Sequence, residues 1–459
     1  MNETYGIVSL VPIVVIIVLA LVTRKTFVSM LMGVLVGFAI LAAGHPVKLL
    51  NLFLDGLYTV MTDADTAWVL LVCGLFGSLI ALMEKSGGVL GFSSLAQKVI
   101  KGRRASMIFT WILGIIIFVD DYLNNLAVGA ATRKITDHFK VPREMLAYII
   151  NSTGVTVCAI VPFSTWAAFM SAQMDKAGMV EGMTPISAYI QTIPYIVYGW
   201  LAVILVPLFV LKVIPLFGPM KEAEKRALET GEVLSKESKE ALVELPEEET
   251  ALAGKKNRAL NFLIPMIVVA VLTIITEDIL IGIFAAIVAC FILYLPQRLM
   301  NFTQFFDTVV KGLVDMFPVL LLIIMAYTLM EVNSGLGLTN YVIDVALNVV
   351  NPALLPVTIF VVIGLLSFAS GSFWGLAAIS FPIVAPLAAA LGVNPFLTAG
   401  AVISAVAFGG HICIYSDTVI LASASTQVTN ADYFKTSVPL VALAFILAAI
   451  IFLILGFVM

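Results

Sequence analysis

Six consecutive residues, Asp120-Asp121-Tyr122-Leu123-Asn124-Asn125, interrupt an otherwise apolar stretch with two carboxylates and two carboxamides. Carboxylates in apolar surroundings carry a cation or a proton, because an ionised acid left alone there is costly. Amide oxygens beside them complete the oxygen shell that a hard cation such as Na+ requires. A third acid, Asp417, sits in Ser416-Asp417-Thr418, and Asp120, Asp121 and Asp417 are the candidate Na+ ligands. Further polar residues gather at related interruptions: Asn151-Ser152-Thr153, Ser164-Thr165, and Ser370 and Ser372. Taken singly, such hydroxyls bond back to their own helix; their collection at four breaks is the signal. His411 is either a proton relay or a structural hydrogen-bonder. Trp166 and Trp374 stand beside breaks, where packing and substrate contact are both open to them. Glu84 and Glu331 lie at the ends of apolar runs, where their carboxylates snorkel to water. No phosphate loop, nucleophile–base arrangement or metal-ligand spacing is present, which argues against an enzyme and against an ATP-driven pump.

The elements that position these residues are membrane helices. Of the 459 residues 61% are hydrophobic and 12% charged, where soluble domains carry about 25% charge. Eighteen of the 38 residues from Lys221 to Arg258 are charged, a third of the chain's 54. The rest is a succession of apolar runs of roughly 17–25 residues, the length that crosses a bilayer. This composition excludes a soluble enzyme, and the net charge of −4 offers no basic surface for nucleic acid. Cys73, Cys158, Cys290 and Cys413 lie within apolar runs and read as small buried hydrophobes. Arg24-Lys25 follows the first run rather than preceding it, so that run reads as a retained helix.

Continuous spans are expected at Tyr5–Val22, Thr26–Ala43, Asp65–Met83, Ala188–Leu211, Ala259–Ile275, Asp278–Leu295, Asp315–Glu331 and Thr436–Phe457. Interrupted regions lie between them. Arms 105–119 and 126–139 flank the Asp-Asp tip, and arms 354–369 and 376–391 flank Ser370-Gly371-Ser372-Phe373-Trp374-Gly375. Met145–Ser171 breaks at Pro162-Phe163-Ser164-Thr165. Phe396–Gln427 breaks around Gly409-Gly410-His411 and Ser416-Asp417-Thr418. The same order recurs after a shift of roughly 250 residues, placing Pro12 on Pro265, Pro142 on Pro395 and one hairpin tip on the other. Arms of about 15 residues are too short to cross, so each pair reads as a re-entrant hairpin. Two inverted five-span repeats then put 23 of the 25 Lys and Arg residues on the cytoplasmic side, with Lys48 and Lys176 outside. The expected organisation is a first inverted repeat (1–218), a charged, solvated cytoplasmic linker (219–258) and a second repeat (259–459). The fold class is an all-α polytopic membrane protein in which each repeat carries a hairpin and a broken helix.

Phe118-Val119-Asp120-Asp121-Tyr122-Leu123-Asn124-Asn125-Leu126, followed by Ala147-Tyr148-Ile149-Ile150-Asn151-Ser152-Thr153, resembles the NhaC-type sodium/proton antiporter family. Pro162-Phe163-Ser164-Thr165-Trp166, Gly371-Ser372-Phe373-Trp374-Gly375 and Phe408-Gly409-Gly410-His411 with Ser416-Asp417-Thr418 are similar to that family as well. The resemblance implies an ion-coupled secondary transporter with Na+ or H+ as coupling ion and no other cofactor. It further implies Na+/H+ exchange by an elevator-like movement, a plasma-membrane location in a bacterium or archaeon, and a homodimer as the common assembly. Its partners would be the lipid bilayer and a small ion. The chain departs from the pattern at Asn151, where the family tends to have Asp, and at Gly410, where it again tends to have Asp. Phe373 replaces a small polar residue. With fewer acids and an added aromatic, the alternative reading is Na+- or H+-coupled transport of a small organic solute, an amino acid or carboxylate. Its carboxylate would bind at half-helix N-termini, because no Lys or Arg lies within a span.

Overall fold

Away from water the backbone can satisfy its N–H and C=O groups only internally, so apolar runs become helices. In the computed structural model the described residues form helices and turns and no strand. Those are residues 5–459 except 24–25, 89–90, 92–99, 181, 243–257, 277, 339, 342–350, 372 and 415.

The first half contributes α1 (Val11–Thr23), α2 (Thr26–Leu41), α3 (Pro46–Met61), α4 (Ala64–Lys85), α5 (Arg103–Ile116), α6 (Asp121–His138), α7 (Arg143–Ile160), α8 (Thr165–Lys176), α9 (Pro185–Thr192) and α10 (Val197–Val210). Two helices, α11 (Gly218–Thr230) and α12 (Lys236–Leu242), lie in the charged stretch. The second half contributes α13 (Leu260–Thr276), α14 (Ile279–Tyr294), α15 (Phe302–Asp315), α16 (Phe317–Gly335), α17 (Leu355–Ser370), α18 (Phe373–Leu391), α19 (Pro395–Ile412), α20 (Asp417–Thr426) and α21 (Asn430–Val458).

Among the described residues six helices are long and apolar enough to cross a membrane, and up to eight spans result if each bent pair is one. Helices α7 and α8 form one such pair, bent by 43° at the expected Pro162–Thr165 break. Four of the expected spans appear as shorter apolar helices: α1, α2, α13 and α14. The protein is an all-α polytopic membrane protein.

Helix packing separates the chain into two bodies. In the first, α1–α4 pack with α13–α16; in the second, α5–α10 pack with α17–α21. Gly77 and Gly312 allow α4 and α15 to cross in backbone contact, since a Cβ on Gly77 would lie 2.3 Å from the Gly312 carbonyl oxygen. The bodies meet where α8 touches α4 and α18 touches α16, with smaller contacts of α1 on α17, α2 on α18 and α4 on α6. Lys176, at the end of α8, pairs across this boundary with Asp63, the N-cap of α4, and lies 5.7 Å from the Tyr327 ring centroid on α16.

Several expectations are corrected. The Ala188–Leu211 run is not continuous: Pro194 ends its first part in a 3-10 turn and the chain bends by 54° before α10. That pair and α21 pack in the second body, against α7 and α19. The reason is that each carries a buried tyrosine that reaches into the second body's polar interior, Tyr198 and Tyr433. Amphipathic α3 and α15 were not anticipated, since each mixes polar residues into an apolar sequence at helical spacing. The second hairpin's arms are longer than expected: α18 starts at Phe373, and both 352–369 and 373–391 are long enough to cross. Helix α19 runs through Gly409-Gly410-His411 and breaks only at Cys413–Ser416.

The charged stretch is also more than solvated chain. Arg226 Nη2 donates to both oxygens of buried Glu144 at 2.9 Å, and Arg103 pairs with Glu224 at 2.5 Å. Ser235 and Ser238 donate to Asp432 at 2.5 and 2.6 Å. Helices α11 and α12 are thereby docked on the second body; residues 243–257 of the expected linker lie outside the described residues.

Candidate functional site

Helix α5 stops at Ile116 and α6 restarts at Asp121, with Asp120 as an extended N-cap. Asp120 Oδ1 accepts from the Tyr122 and Leu123 N–H groups, both at 3.0 Å, satisfying two donors that a helix start leaves open. Its Oδ2 accepts from the Thr165 hydroxyl at 3.0 Å, and the Thr165 N–H donates to the Val119 carbonyl at 2.9 Å. The hairpin tip is thus fastened to the start of α8. Ser164 N-caps that helix, accepting from Ala167 N–H at 3.0 Å and donating to the Cys158 carbonyl at 2.5 Å.

Asp121 differs from its neighbour. It is fully buried, and neither carboxylate oxygen has a hydrogen-bond donor. Asn124 Nδ2 donates to the Gly114 and Ile117 carbonyls, each at 2.7 Å, closing the end of α5. Asn125 Nδ2 donates to the Asp121 carbonyl at 2.8 Å. With both amide nitrogens committed to carbonyls, the amide orientation is fixed by the network and both Oδ1 atoms are left as acceptors. Both are buried and have no donor. Asp121, Asn124 and Asn125 stand at i, i+3 and i+4 on one face of α6. Four buried acceptor oxygens without donors contravene the usual pairing of interior polar groups. Their chemistry suits a hard cation or, on the carboxylate, a proton. The Trp166 indole lies close enough to act on Asp121, although its N–H makes no hydrogen bond.

Asp417 is the first residue of α20, behind the N-cap Ser416. Contrary to the expectation of burial, its side chain is exposed. The helix start turns it outward, where Oδ2 accepts from the Tyr122 hydroxyl at 2.9 Å. Ser416 and Thr418 both donate to the Gly410 carbonyl, at 2.8 and 2.6 Å. Asp120 and Asp417 each lie near enough for their charge to act on Asp121. The three carboxylates are nevertheless not equivalent ligands: one caps a helix, one is buried without a donor and one is exposed. Among the described residues no group of three or more His, Cys, Asp or Glu could hold a metal ion.

His411, Asn151 and Ser152 form a separate cluster. The His411 ring nitrogens meet the Ser152 hydroxyl at 2.9 Å and the Tyr198 hydroxyl at 2.7 Å. Asn151 Nδ2 donates to the His411 carbonyl and to the Tyr433 hydroxyl, both at 2.9 Å, and Tyr433 donates to the same carbonyl at 2.8 Å. Thr153 bonds back to Ile149 and Ile150, at 3.0 Å each, and its side chain fills the space left by Gly114.

At the second hairpin tip the side chains are aromatic. The Phe373 ring stacks on Trp166 at 5.2 Å, and Trp374 lies 5.5 Å from Trp166 and 4.7 Å from Phe169. The indole N–H groups of Trp166 and Trp374 are buried without acceptors. Ser370 ends α17, but its side chain, like all of Ser372, lies outside the described residues. Tyr122, Tyr198 and Tyr433 join these clusters without having been singled out from sequence. A tyrosine within an apolar run is itself a signal, because its hydroxyl needs a partner when buried.

Residues 157–457 match the model of the Na+/H+ antiporter family. A Haemophilus influenzae protein described as uncharacterized is 27% identical over 98% of this chain and 91% of its own length. The Bacillus subtilis malate-2H(+)/Na(+)-lactate antiporter is 23% identical over 39% of this chain and 42% of its own. The fold is similar to the crystal structure of the Alcanivorax borkumensis YdaH transporter, with a TM-score of 0.59 at 12% identity over 95% of this chain and 98% of that one. It is also similar to Neisseria gonorrhoeae MtrF, of a class of antimetabolite efflux pumps, with a TM-score of 0.51 at 14% identity over 91% and 85% of the two chains.

Proposed function

This chain belongs to the Na+/H+ antiporter family, and from that premise we propose that it exchanges Na+ for H+ at Asp121. It is an ion-coupled secondary transporter and not an enzyme. The observation that carries the exchange reading is the buried Asp121 carboxylate with no donor on either oxygen. Such a group is stable with a proton or with a cation, and not bare. One carboxylate that must hold one or the other, and cannot hold both, is a coupling device. The Asn124 and Asn125 oxygens add to the cation shell, and Asp120 holds the loop in place. Na+ and H+ are the coupling ions, and no other cofactor is required.

Alternating access is assigned to the second body moving against the first. What supports this is that the site residues all belong to the second body, so their mutual geometry survives a rigid displacement. The corresponding placement of amphipathic α3 (46–61) and α15 (302–315) ahead of α4 and α16 supports two repeats, 1–218 and 259–459, and their inverted orientation is part of the proposal, supported by the Lys and Arg distribution. In this reading the first body supplies any homodimer contact. The protein resides in a bacterial or archaeal plasma membrane, a placement to which the bacterial relatives lend support.

A second reading rests on the aromatic tip. Two buried indole donors without acceptors, beside a cation site, suit the carboxylate of a small organic solute carried with Na+ or H+. The malate and lactate exchange of the Bacillus relative lends it support.

The deciding experiment is an inward Na+ gradient imposed on proteoliposomes with a pH dye inside. Wild type should alkalinise the lumen, and Asp121→Asn should lower the rate at least ~100-fold, the cost of losing the exchanging group. Undiminished exchange by the variant would remove Asp121 from the mechanism. A dependence of the signal on added carboxylates would favour the second reading.

A further inference from the structure

We infer that Tyr122 is the gate residue between bulk water and the buried Asp121 site, latched by Asp417, and that Asp417 is where an incoming monovalent cation first meets the protein. The inference rests on reading Asp121 as the cation site. Tyr122 follows Asp121 directly, so its backbone is fixed by the same Asp120 cap that shapes the tip. Only its side chain is free to respond. That side chain is partly buried and ends in a hydroxyl that donates to Asp417 Oδ2 at 2.9 Å. Asp121 is inaccessible to solvent while Asp417 is exposed. The phenol therefore joins the last exposed carboxylate to the first buried one.

Exposure of Asp417 has a physical consequence. An ionised side chain at a helix break inside a membrane protein faces a water-filled vestibule or a partner, since contact with lipid tails is prohibitively unfavourable. Asp417 is thus at the water end of a path whose dry end is Asp121. A cation arriving at Asp417 competes with the Tyr122 hydroxyl for Oδ2, and capture of that oxygen unlatches the phenol. One hydrogen bond to an exposed carboxylate is weak enough to be broken in every cycle. The cation is drawn onward only while Asp121 is deprotonated and without a cation, because it is the Asp121 charge that pulls it inward and the Asp417 charge that holds it at the entrance. Tyr122 is a positioning residue in this scheme, touching the ion's route and not its final shell.

The test uses radioactive sodium binding and release by the purified full-length protein, with two variants that separate the latch from the charge. Tyr122→Phe keeps the ring and removes the hydroxyl; release and association should both become about two- to tenfold faster, the equivalent of one net hydrogen bond on the gating barrier, with affinity little changed. Asp417→Asn keeps an acceptor for the phenol and removes the charge. Association should slow by about threefold or more and lose its dependence on choline chloride concentration, with release little changed. A purely structural role would lower sodium affinity or the melting temperature and would not raise both rates of Tyr122→Phe by the same factor. Release from Tyr122→Phe at the wild-type rate overturns the gate, and salt-independent association in wild type overturns the recruiting role of Asp417. Absence of sodium binding by wild type would instead overturn the assignment of Asp121 on which the inference stands.

Discussion

Helix α7 separates two buried polar clusters that differ in one respect: whether their atoms are paired. On one side, next to Thr153 and Gly154, lie Asp121, Asn124 and Asn125 with four acceptor oxygens and no donors. On the other, next to Tyr148, Asn151 and Ser152, lies His411 with both ring nitrogens and its carbonyl engaged. There, of the cluster's atoms, Asn151 Oδ1 is left without a donor. Both clusters are buried. The paired one holds helices α7, α10, α19 and α21 together, and the unpaired one is the proposed ion site. Pairing, and not polarity, distinguishes a structural network from a binding site.

The comparison breaks most visibly under thermal unfolding with and without Na+. His411→Ala strands the Ser152 and Tyr198 hydroxyls and should cost about 3 kcal/mol, yet Na+ should still raise the variant's melting temperature. Asp121→Asn should show the reverse: it removes an uncompensated buried charge, so stability without Na+ should hold or rise, and the Na+ effect should vanish. For wild type that effect approaches about 2.7 kcal/mol at a hundredfold excess over Kd. Na+-dependent stabilisation that depends on His411 and not on Asp121 would exchange the roles of the two clusters.

A smaller effect sharpens the contrast inside the first cluster. Asn125→Ala removes one acceptor oxygen and the bond to the Asp121 carbonyl. The apparent Na+ affinity measured by titrating the melting temperature should fall by about tenfold, the loss of one charge-assisted contact. Equal affinity would show that Asn125 serves the loop alone.

The smallest effect belongs to the ion pair at the boundary of the two bodies, outside both clusters. The Lys176 ammonium holds the Asp63 carboxyl below its ordinary range, helped by the Thr66 N–H and hydroxyl. A depressed pKa stabilises the fold above the unfolded value of about 3.9 and ceases to do so as pH falls through the lower, folded value. Because the pair is partly solvated, Asp63→Asn should cost less than about 1 kcal/mol at pH 7. Melting curves of variant and wild type should converge once pH has fallen below the lowered, folded value, and a gap that persists there would mean that the carboxylate's charge is not what stabilises the boundary.

The comparison also shows where sequence reading stopped. Asp120 and Asp121 are chemically identical neighbours, and nothing local separates a cap from an unpaired carboxylate. The distinction comes from where α6 starts, which gives Asp120 the Tyr122 and Leu123 N–H groups, and from Thr165, 45 positions away, which reaches Asp120 and leaves Asp121 alone. His411 was open between relay and structural roles, and the partners on its two nitrogens, Ser152 and Tyr198, come from helices that sequence alone does not bring to it. Asp417 was expected within the membrane interior, and the start of α20 leaves it exposed.

What the amino-acid order determined alone was the class of molecule and the places where helices must stop. Apolar runs long enough to cross a bilayer admit only helices there, and a proline, an N-capping Ser or Asp, or a polar cluster interrupts a helix locally. The breaks at 117–120, at Pro162–Thr165 and before Ser416 follow from those residues themselves. The Ala188–Leu211 bend was legible in Pro194 by the same rule, and the amphipathic spacing of α3 and α15 was legible in their periodicity. Tertiary structure decided which oxygens remained free, because a hydrogen-bond partner is chosen by proximity between elements that lie tens to hundreds of residues apart. A carboxylate's identity is written in the chain; its vacancy for an ion is written only in the packing around it.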